Sequence, residues 1–406
     1  MTITLRLRPG ICAIATPTPA PSRTSLRLPC CSWSPSLRSR GLSARSHIQA
    51  VAMGHNDPAP ASTPAPTPTP LRILMCGDEF PPAEFHTRES LQRYPHLHVD
   101  SWPREEVPDR IAEYDICVPR MMRIDEAVIA RAKRLRLIVQ FGVGLEGVDI
   151  DAATRAGIKV ARIPSANTGN AFSCAEHCIY MTLGLLRHQK EMALSIAARR
   201  LGEPAGGTLY GKTVFILGYG HIGKELAPRL RCFGVHILAV RRSWTGLDVS
   251  DSNSCREGLQ NGASDGDESV HEKGGIEQTL EFASRADIVI TCCTLNPSTK
   301  GIVDKAFLSA MKKGAYLVNV ARGGLLDYDA VLAALKSGHL GGLAIDVAWS
   351  EPFDPSDPIL QFPNVLITPH IAGVTTHSYQ NMGKIIADSA HQLSIGMPTP
   401  DIEFAN

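Results

Sequence analysis

The sequence predicts an α/β fold made of two parallel-sheet domains, and three observations predict it. A β-branched and aliphatic run, Thr213–Leu217, enters glycines Gly218, Gly220 and Gly223, and an amphipathic segment follows to Phe233. Short apolar runs alternate with helical patterns on both sides of that stretch, the signature of parallel sheets with crossover helices. Three polar clusters follow apolar runs in the last third of the chain, and open α/β sheets bind ligands beyond the carboxyl ends of their strands. The length of 406 residues allows two such domains plus extensions.

Taken in order, residues 1–56 carry seven arginines and no lysine, aspartate or glutamate, among many Ser, Thr, Pro and Ala. That composition is expected of an organelle transit peptide. Its proline content leans towards the chloroplast; a mitochondrial address, or a cytosolic form started at Met53, are the alternatives. Residues 57–70 read as a Pro-rich linker of extended character, so folding is expected to begin near Leu71. Net charge is +1 overall. Removing the seven arginines from 41 basic residues leaves 34 against 40 acidic, a net of −6. This argues against a nucleic-acid partner. With no run of about 18 apolar residues, no membrane span is expected. Eleven cysteines show no C-x-x-C spacing and no zinc-like pairing. Cys174 and Cys178, four apart on one predicted helix face, read as buried small hydrophobes.

Strands are expected at Leu71–Met75, Leu97–Ser101, Ile116–Val118, Leu137–Val139 and Lys159–Ala161, with a helix over Asp125–Lys133. The glycines of Phe141–Asp149 can expose backbone N–H groups as an anion nest or make a plain turn. Asn170 to Arg187 reads as a long helix with polar residues at its start; His177 within it is expected to be structural. Six further strands are expected at 213–217, 235–240, 287–292, 315–319, 342–345 and 365–368, the number a full dinucleotide-binding sheet needs. Asp248–Gly275 lacks periodicity and reads as a disordered acidic insertion.

In strand–turn–helix context, Gly218 permits the turn, Gly220 lets a pyrophosphate approach the backbone, and Gly223 lets helix and strand pack closely. Arg241, 23 residues after Gly218, stands where an acidic residue would bind an NAD ribose. Arg241, Arg242 and Ser243 instead suit a 2′-phosphate, so NADP(H) is favoured over NAD(H). Arg322, Glu351 and His370 each follow a predicted strand and are expected to converge beside the nicotinamide. An arginine fork holds a carboxylate and polarises the neighbouring carbonyl. A histidine supplies the proton as hydride arrives, and a glutamate bonded to it favours the imidazolium. That trio suits reduction of a 2-oxo acid.

At these residues the chain resembles the D-isomer-specific 2-hydroxyacid dehydrogenases. The matching pieces are the loop around Gly144, Ser173–His177, Gly218-x-Gly220-x-x-Gly223, Leu317–Gly323, Asp346 with Glu351–Pro352, and Pro369–Gly373. The resemblance runs from about Leu71 to the end. It implies that Arg322 binds and polarises substrate, that His370 is the acid/base and that Glu351 is its partner. Val143, Gly144 and Leu145 would offer backbone to the substrate carboxylate. Tyr219, His221 and Ile222 would meet the pyrophosphate. Ser173, Cys293 and Thr294 would lie along the cofactor, and Asp346 would hold the carboxamide.

The resemblance also implies two Rossmann/flavodoxin-like domains, with a substrate domain of residues 71–168 plus 371–406 interrupted by a dinucleotide-binding domain of residues 169–370. It further implies a cleft that closes on substrate, and a homodimer. The chain departs from the family in Arg241, in the long 248–275 insertion, in a roomier Pro164–Phe172 segment and in lacking a regulatory domain after its last helix. These departures lean towards a glyoxylate/hydroxypyruvate-type reductase. A phosphoglycerate dehydrogenase-like enzyme and a dinucleotide-sensing corepressor or scaffold are the alternatives.

Overall fold

The structure is a computed structural model that describes residues 67–165, 168–244 and 268–406. The expected transit peptide, most of the linker and most of the acidic insertion lie outside the described residues. All described residues belong to one compact unit.

The first sheet is built from β1 (Leu71–Cys76), β2 (Leu97–Trp102), β3 (Ile116–Pro119), β4 (Leu137–Gln140) and β5 (Lys159–Arg162). Between them lie α1 (Pro81–Leu91), α2 (Val107–Arg110), α3 (Glu126–Ile129) and α4 (Ile150–Arg155). Strand order is β2-β1-β3-β4-β5, all parallel, so the order reverses between β1 and β3. The helix expected over Asp125–Lys133 is only four residues long. Asp125 caps it by accepting from the Val128 N–H at 3.1 Å, and the remainder turns.

Two long elements lead into the second sheet, α5 (Asn170–Leu186) and α6 (Gln189–Ala197). The sheet then runs through β6 (Thr213–Leu217), α7 (His221–Arg231), β7 (His236–Val240), β8 (Glu272–Gly274), α8 (Thr279–Arg285) and β9 (Ile288–Thr291). It finishes with α9 (Lys305–Ala310), β10 (Ala315–Asn319), α10 (Tyr328–Lys336), β11 (Leu340–Ile345) and β12 (Val365–Ile367). The order is β12-β11-β10-β9-β6-β7-β8, all parallel, reversing between β6 and β9. The sheet therefore has seven strands rather than six. The extra one, β8, corrects the reading of 248–275 as disordered to its end. Glu272-Lys-Gly274 has no apolar pattern, but pairing with the buried edge of β7 supplies the backbone bonds that its side chains do not predict.

The inner strands are buried on both faces, which is why β3, β4 and β9 read as short apolar runs. Along β6, Phe215 and Leu217 enter one core while Val214 and Ile216 enter the other. Helix α5 lays Cys174, Ala175, Cys178 and Met181 on the second of these. Burial raises the Cys174 thiol to about 12, as expected of a packing residue rather than a ligand.

The final helix, α11 (Thr376–Ser394), returns to the first sheet. Tyr379, Met382, Ile386 and Ala390 lie in the core beneath β1 and β3. Each fully buried large side chain of this kind contributes about 1.5–3 kcal/mol. Gly383 lets α11 approach α1, since a Cβ there would stand 2.7 Å from the His86 backbone. The chain ends in β13 (Glu403–Phe404), antiparallel on β5 and too short for any periodicity to announce.

Candidate active site

The glycine loop lies where the order of the second sheet reverses. Gly218 has φ 99° and abuts the segment that follows β9: a Cβ there would lie 2.5 Å from the Cys293 nitrogen. Gly220 faces open space, with nothing within 4 Å of a Cβ position, leaving room for an anion to reach the backbone. A Cβ on Gly223 would sit 3.1 Å from the Tyr219 ring and 3.2 Å from the Gly218 oxygen, so this glycine serves close packing. Helix α7 starts at His221, directly after Gly220 and with no side-chain cap, and a helix N-terminus favours an anion. These features fit a dinucleotide pyrophosphate.

Of the residues expected along the cofactor, His221 and Ile222 head α7 and are half-buried. Tyr219 is a correction. Its side chain is 2% exposed in the core, and its N–H donates to the Val240 oxygen at 3.0 Å, so it is not presented to a phosphate. Arg241 is half-buried, with Arg242 and Ser243 exposed just beyond β7. The Gly274 oxygen accepts from both the Arg241 N–H (3.1 Å) and Trp244 Nε1 (2.9 Å), pinning this segment to β8. Cys293 is half-buried over Gly218, and burial raises its thiol to about 11. The Thr294 oxygen accepts from Thr299 Oγ1 at 2.7 Å, which shapes the turn after β9.

Ser173 and Asp346 are engaged inside the fold. Ser173 Oγ bonds the Gly169 oxygen (2.9 Å) and Thr375 Oγ1 (2.8 Å), joining α5 to the N-cap of α11. Asp346 accepts from Thr368 Oγ1 (2.6 Å) and from the Ile371 and Ala372 N–H groups (2.8 Å each). Since the Thr368 proton goes to Asp346, Thr368 accepts from His177 Nε2 at 2.9 Å. His177 is thus a structural group. Burial pushes the Asp346 carboxyl up, but His177, Thr368 and the two amides outweigh it and hold it below the usual range. Any carboxamide it holds would share an oxygen already in use.

The three catalytic candidates come together. Arg322 follows β10 in a loop tied down by Asn319, a buried residue that the sequence reading missed. Asn319 Nδ2 donates to the Arg322 oxygen (2.9 Å), and Asn319 Oδ1 accepts from the Ala321 N–H (3.0 Å) and Thr291 Oγ1 (2.7 Å). Glu351 Oε1 accepts from the Ala348 N–H at 2.9 Å, and Oε2 lies 2.7 Å from His370 Nδ1. Burial pushes the Glu351 carboxyl up, yet His370, the Ala348 amide and Arg322 hold it below its ordinary range. An ionised carboxylate only accepts, so Nδ1 must carry the proton between them and Nε2 is left for chemistry. His370 itself has φ 56°, a left-handed backbone rare outside glycine, held by its N–H bonding to the Asp346 (2.8 Å) and Thr368 (3.0 Å) oxygens.

The first sheet supplies the facing wall. The Gly144 loop meets Arg322: a Cβ on Gly144 would be 2.4 Å from Nη2, and Glu146 Oε1 stands 3.6 Å from Arg322 Nε. Val143 is exposed at that turn, and Leu145 packs into the core beneath it. The Phe80 ring stands edge-on to His370 at 5.9 Å. Glu146 and Phe80 carried no signal in the sequence, because their partners lie 176 and 290 positions away.

A profile described as D-isomer specific 2-hydroxyacid dehydrogenase, NAD binding domain, matches residues 179–261 and 258–372, spanning this loop and these three residues. The chain belongs to the D-isomer specific 2-hydroxyacid dehydrogenase family. Among curated family relatives, a D-3-phosphoglycerate dehydrogenase of Mycobacterium leprae is 31% identical over 306 residues, covering 75% of this chain and 53% of its own. One of Bacillus subtilis is 32% identical over 296 residues, covering 71% and 51%. The chain therefore spans about half the length of the curated relatives it matches. Among solved structures, a Thermus thermophilus protein is 28% identical with a TM-score of 0.67, covering 82% of this chain and 99% of its own. An NADPH-dependent glyoxylate/hydroxypyruvate reductase of Sinorhizobium meliloti is 25% identical with a TM-score of 0.63, covering 79% and 94%. Among the described residues no helix is long and apolar enough to cross a membrane, and no cluster of His, Cys, Asp and Glu could hold a metal.

Proposed function

We propose that this protein reduces a small 2-oxo acid to the D-2-hydroxy acid with a nicotinamide dinucleotide. The observation that carries the proposal is the 2.7 Å contact of Glu351 with His370 Nδ1, on the same sheet edge as Arg322 and the glycine loop. The bound dinucleotide supplies the hydride. Arg322 and the Gly144 backbone hold the substrate carboxylate, with Arg322 polarising the adjacent carbonyl. His370 Nε2 gives its proton to the carbonyl oxygen, while Glu351 stabilises the imidazolium beforehand. Glu146 Oε1 stands 3.6 Å from Arg322 Nε, so the guanidinium that would hold the substrate carboxylate already has one anion beside it.

The first reading of the substrate is the glyoxylate/hydroxypyruvate type, in line with the Sinorhizobium reductase. A phosphorylated hydroxypyruvate is the second reading, in line with the curated relatives. NADP(H) is favoured over NAD(H) because Arg241 and Arg242 follow β7 with Ser243 and no carboxylate stands among them. The test is a matrix of small 2-oxo acids against NADPH and NADH, with a His370→Ala control. Cofactor binding without turnover above that control would leave the dinucleotide-sensing scaffold. Arg241→Asp should weaken NADPH binding and move preference towards NADH; unchanged preference removes Arg241 from the argument.

Two further proposals follow from the surface and the N-terminal composition. The segment carrying Tyr180, Leu194, Ile196, Leu201 and Tyr210 exposes large apolar side chains, which suits pairing with a second copy. A monomer in sedimentation equilibrium would refute the homodimer. Residues 1–56 are proposed to direct import into the chloroplast; a fluorescent fusion of these residues retained in the cytosol would refute it.

A further inference from the structure

The strand β8 (Glu272–Gly274) forms one edge of the second sheet, parallel to β7 and in register with Leu238, Ala239 and Val240. That pairing sets β8 beside the carboxyl end of β7, where Arg241, Arg242 and Ser243 follow. One β8 carbonyl fixes the segment: the Gly274 oxygen accepts from the Arg241 N–H at 3.1 Å and from Trp244 Nε1 at 2.9 Å. Trp244 is thereby laid against the glycine loop. Its ring centroid is 5.3 Å from that of Tyr219, the residue between Gly218 and Gly220.

Lys273, the middle residue of β8, is exposed, and its Nζ stands 5.4 Å from the centroid of the Trp244 ring. Its register partner is Ala239, and partners in a sheet share a face. Ala239, Tyr219 and Trp244 pack in the core covered by α5 and α7, so this is the face of the glycine loop. Arg241 lies two residues past Ala239, an even step in the alternation of a strand. Neighbouring strands are about 4.8 Å apart, a gap that the four-carbon stem of a lysine crosses. Among the described residues no carboxylate pairs with Lys273. Its neighbour Glu272 is bound by Arg285 and, at 3.0 Å, by His236 Nε2. An exposed ammonium held only by a ring face is weakly committed and turns readily to an anion.

We propose that Lys273, seated on Trp244, is a further cation of the 2′-phosphate site, acting with Arg241 and Arg242 on an NADP-type dinucleotide. This rests on the NADP(H) reading above and adds to it a residue from the neighbouring strand. A phosphate monoester offers three acceptor oxygens, enough for several donors at once. The arginine forks orient it, and the ammonium acts on it as a point charge.

The test is calorimetry on the whole chain with adenosine 2′,5′-bisphosphate and 5′-AMP, which differ only in the 2′-phosphate. Wild type should bind the bisphosphate more tightly. Lys273→Gln should shrink that preference about fivefold, as for an exposed charge pair, and leave 5′-AMP within about twofold. Lys273→Arg, which keeps the charge, should hold the preference within about twofold of wild type. If wild type binds the two nucleotides equally, the NADP(H) reading itself fails and the role of Lys273 falls with it. If wild type shows the preference and Lys273→Gln keeps it, the reading stands on Arg241 and Arg242, and the proposal for Lys273 is overturned. It is overturned as well if Lys273→Gln weakens both nucleotides alike, the mark of a residue that only supports Trp244. Equal losses in Lys273→Arg and Lys273→Gln overturn it too, because the charge would then not be the cause.

Discussion

Replacing Glu351 with glutamine tests the centre of the proposed mechanism. The carboxylate accepts two hydrogen bonds, one on each oxygen: from the Ala348 N–H at 2.9 Å and from His370 Nδ1 at 2.7 Å. A glutamine of the same shape has one acceptor oxygen and one NH2 group. Whichever way it turns, either Ala348 or His370 faces a donor. If the oxygen stays with Ala348, the imidazole must accept at Nδ1 and carries its proton at Nε2 only as a neutral ring. If the oxygen turns to His370, the bond to Nδ1 survives without its charge and a buried amide is stranded. Either way a charge-assisted bond is lost, about 1.5–3 kcal/mol. This corresponds to a fall of about 10- to 150-fold in kcat/KM for reduction. The assay is loss of NADPH absorbance with the best 2-oxo acid across pH 5.5 to 9, beside a melting curve to confirm folding. A kcat/KM within about threefold of wild type across that range would show that the carboxylate does not act through the imidazole.

Two stability predictions use other buried groups. Asp346→Asn should cost about 2–4 kcal/mol in urea denaturation, because two amides and the Thr368 hydroxyl lose an ionised acceptor. Asp346 is held below the ordinary carboxyl range, so its contribution is fully present at neutral pH. It is lost as pH falls through the depressed value, and the wild-type urea midpoint should drop towards pH 3 more steeply than that of the variant. His96 faces His391 at 3.3 Å, with Tyr94 stacked on His391. Burial, then the neighbouring His391, lowers the tendency of His96 to protonate. A histidine kept neutral by the fold contributes stability above its unfolded value, about 6.5, and loses it as pH falls below that. The melting temperature should decline between pH 7 and 5, and His391→Phe should flatten the decline while keeping a ring on Tyr94.

Much of this molecule is legible locally. A strand buried on both faces is a short apolar run wherever it ends up, so eleven of the thirteen strands among the described residues can be read from residues such as Thr213–Leu217 or Ala315–Asn319. Gly218, Gly220 and Gly223 announce their roles because strand, turn and helix are contiguous. Arg322, Glu351 and His370 are readable because each follows its own strand, and strand ends in a parallel sheet share one edge.

What the sequence by itself determined is therefore the set of strands, the dinucleotide loop and the polar groups at the strand ends. Only the tertiary structure decided where long-range partners meet. It made β8 a strand by lending it the edge of β7, and it drew Tyr219 inward, out of reach of a phosphate. It set Glu146 beside Arg322 and Phe80 beside His370. None of these is a local propensity: each depends on backbone groups and charges brought close from distant parts of the chain, where burial sets the cost of leaving them unpaired.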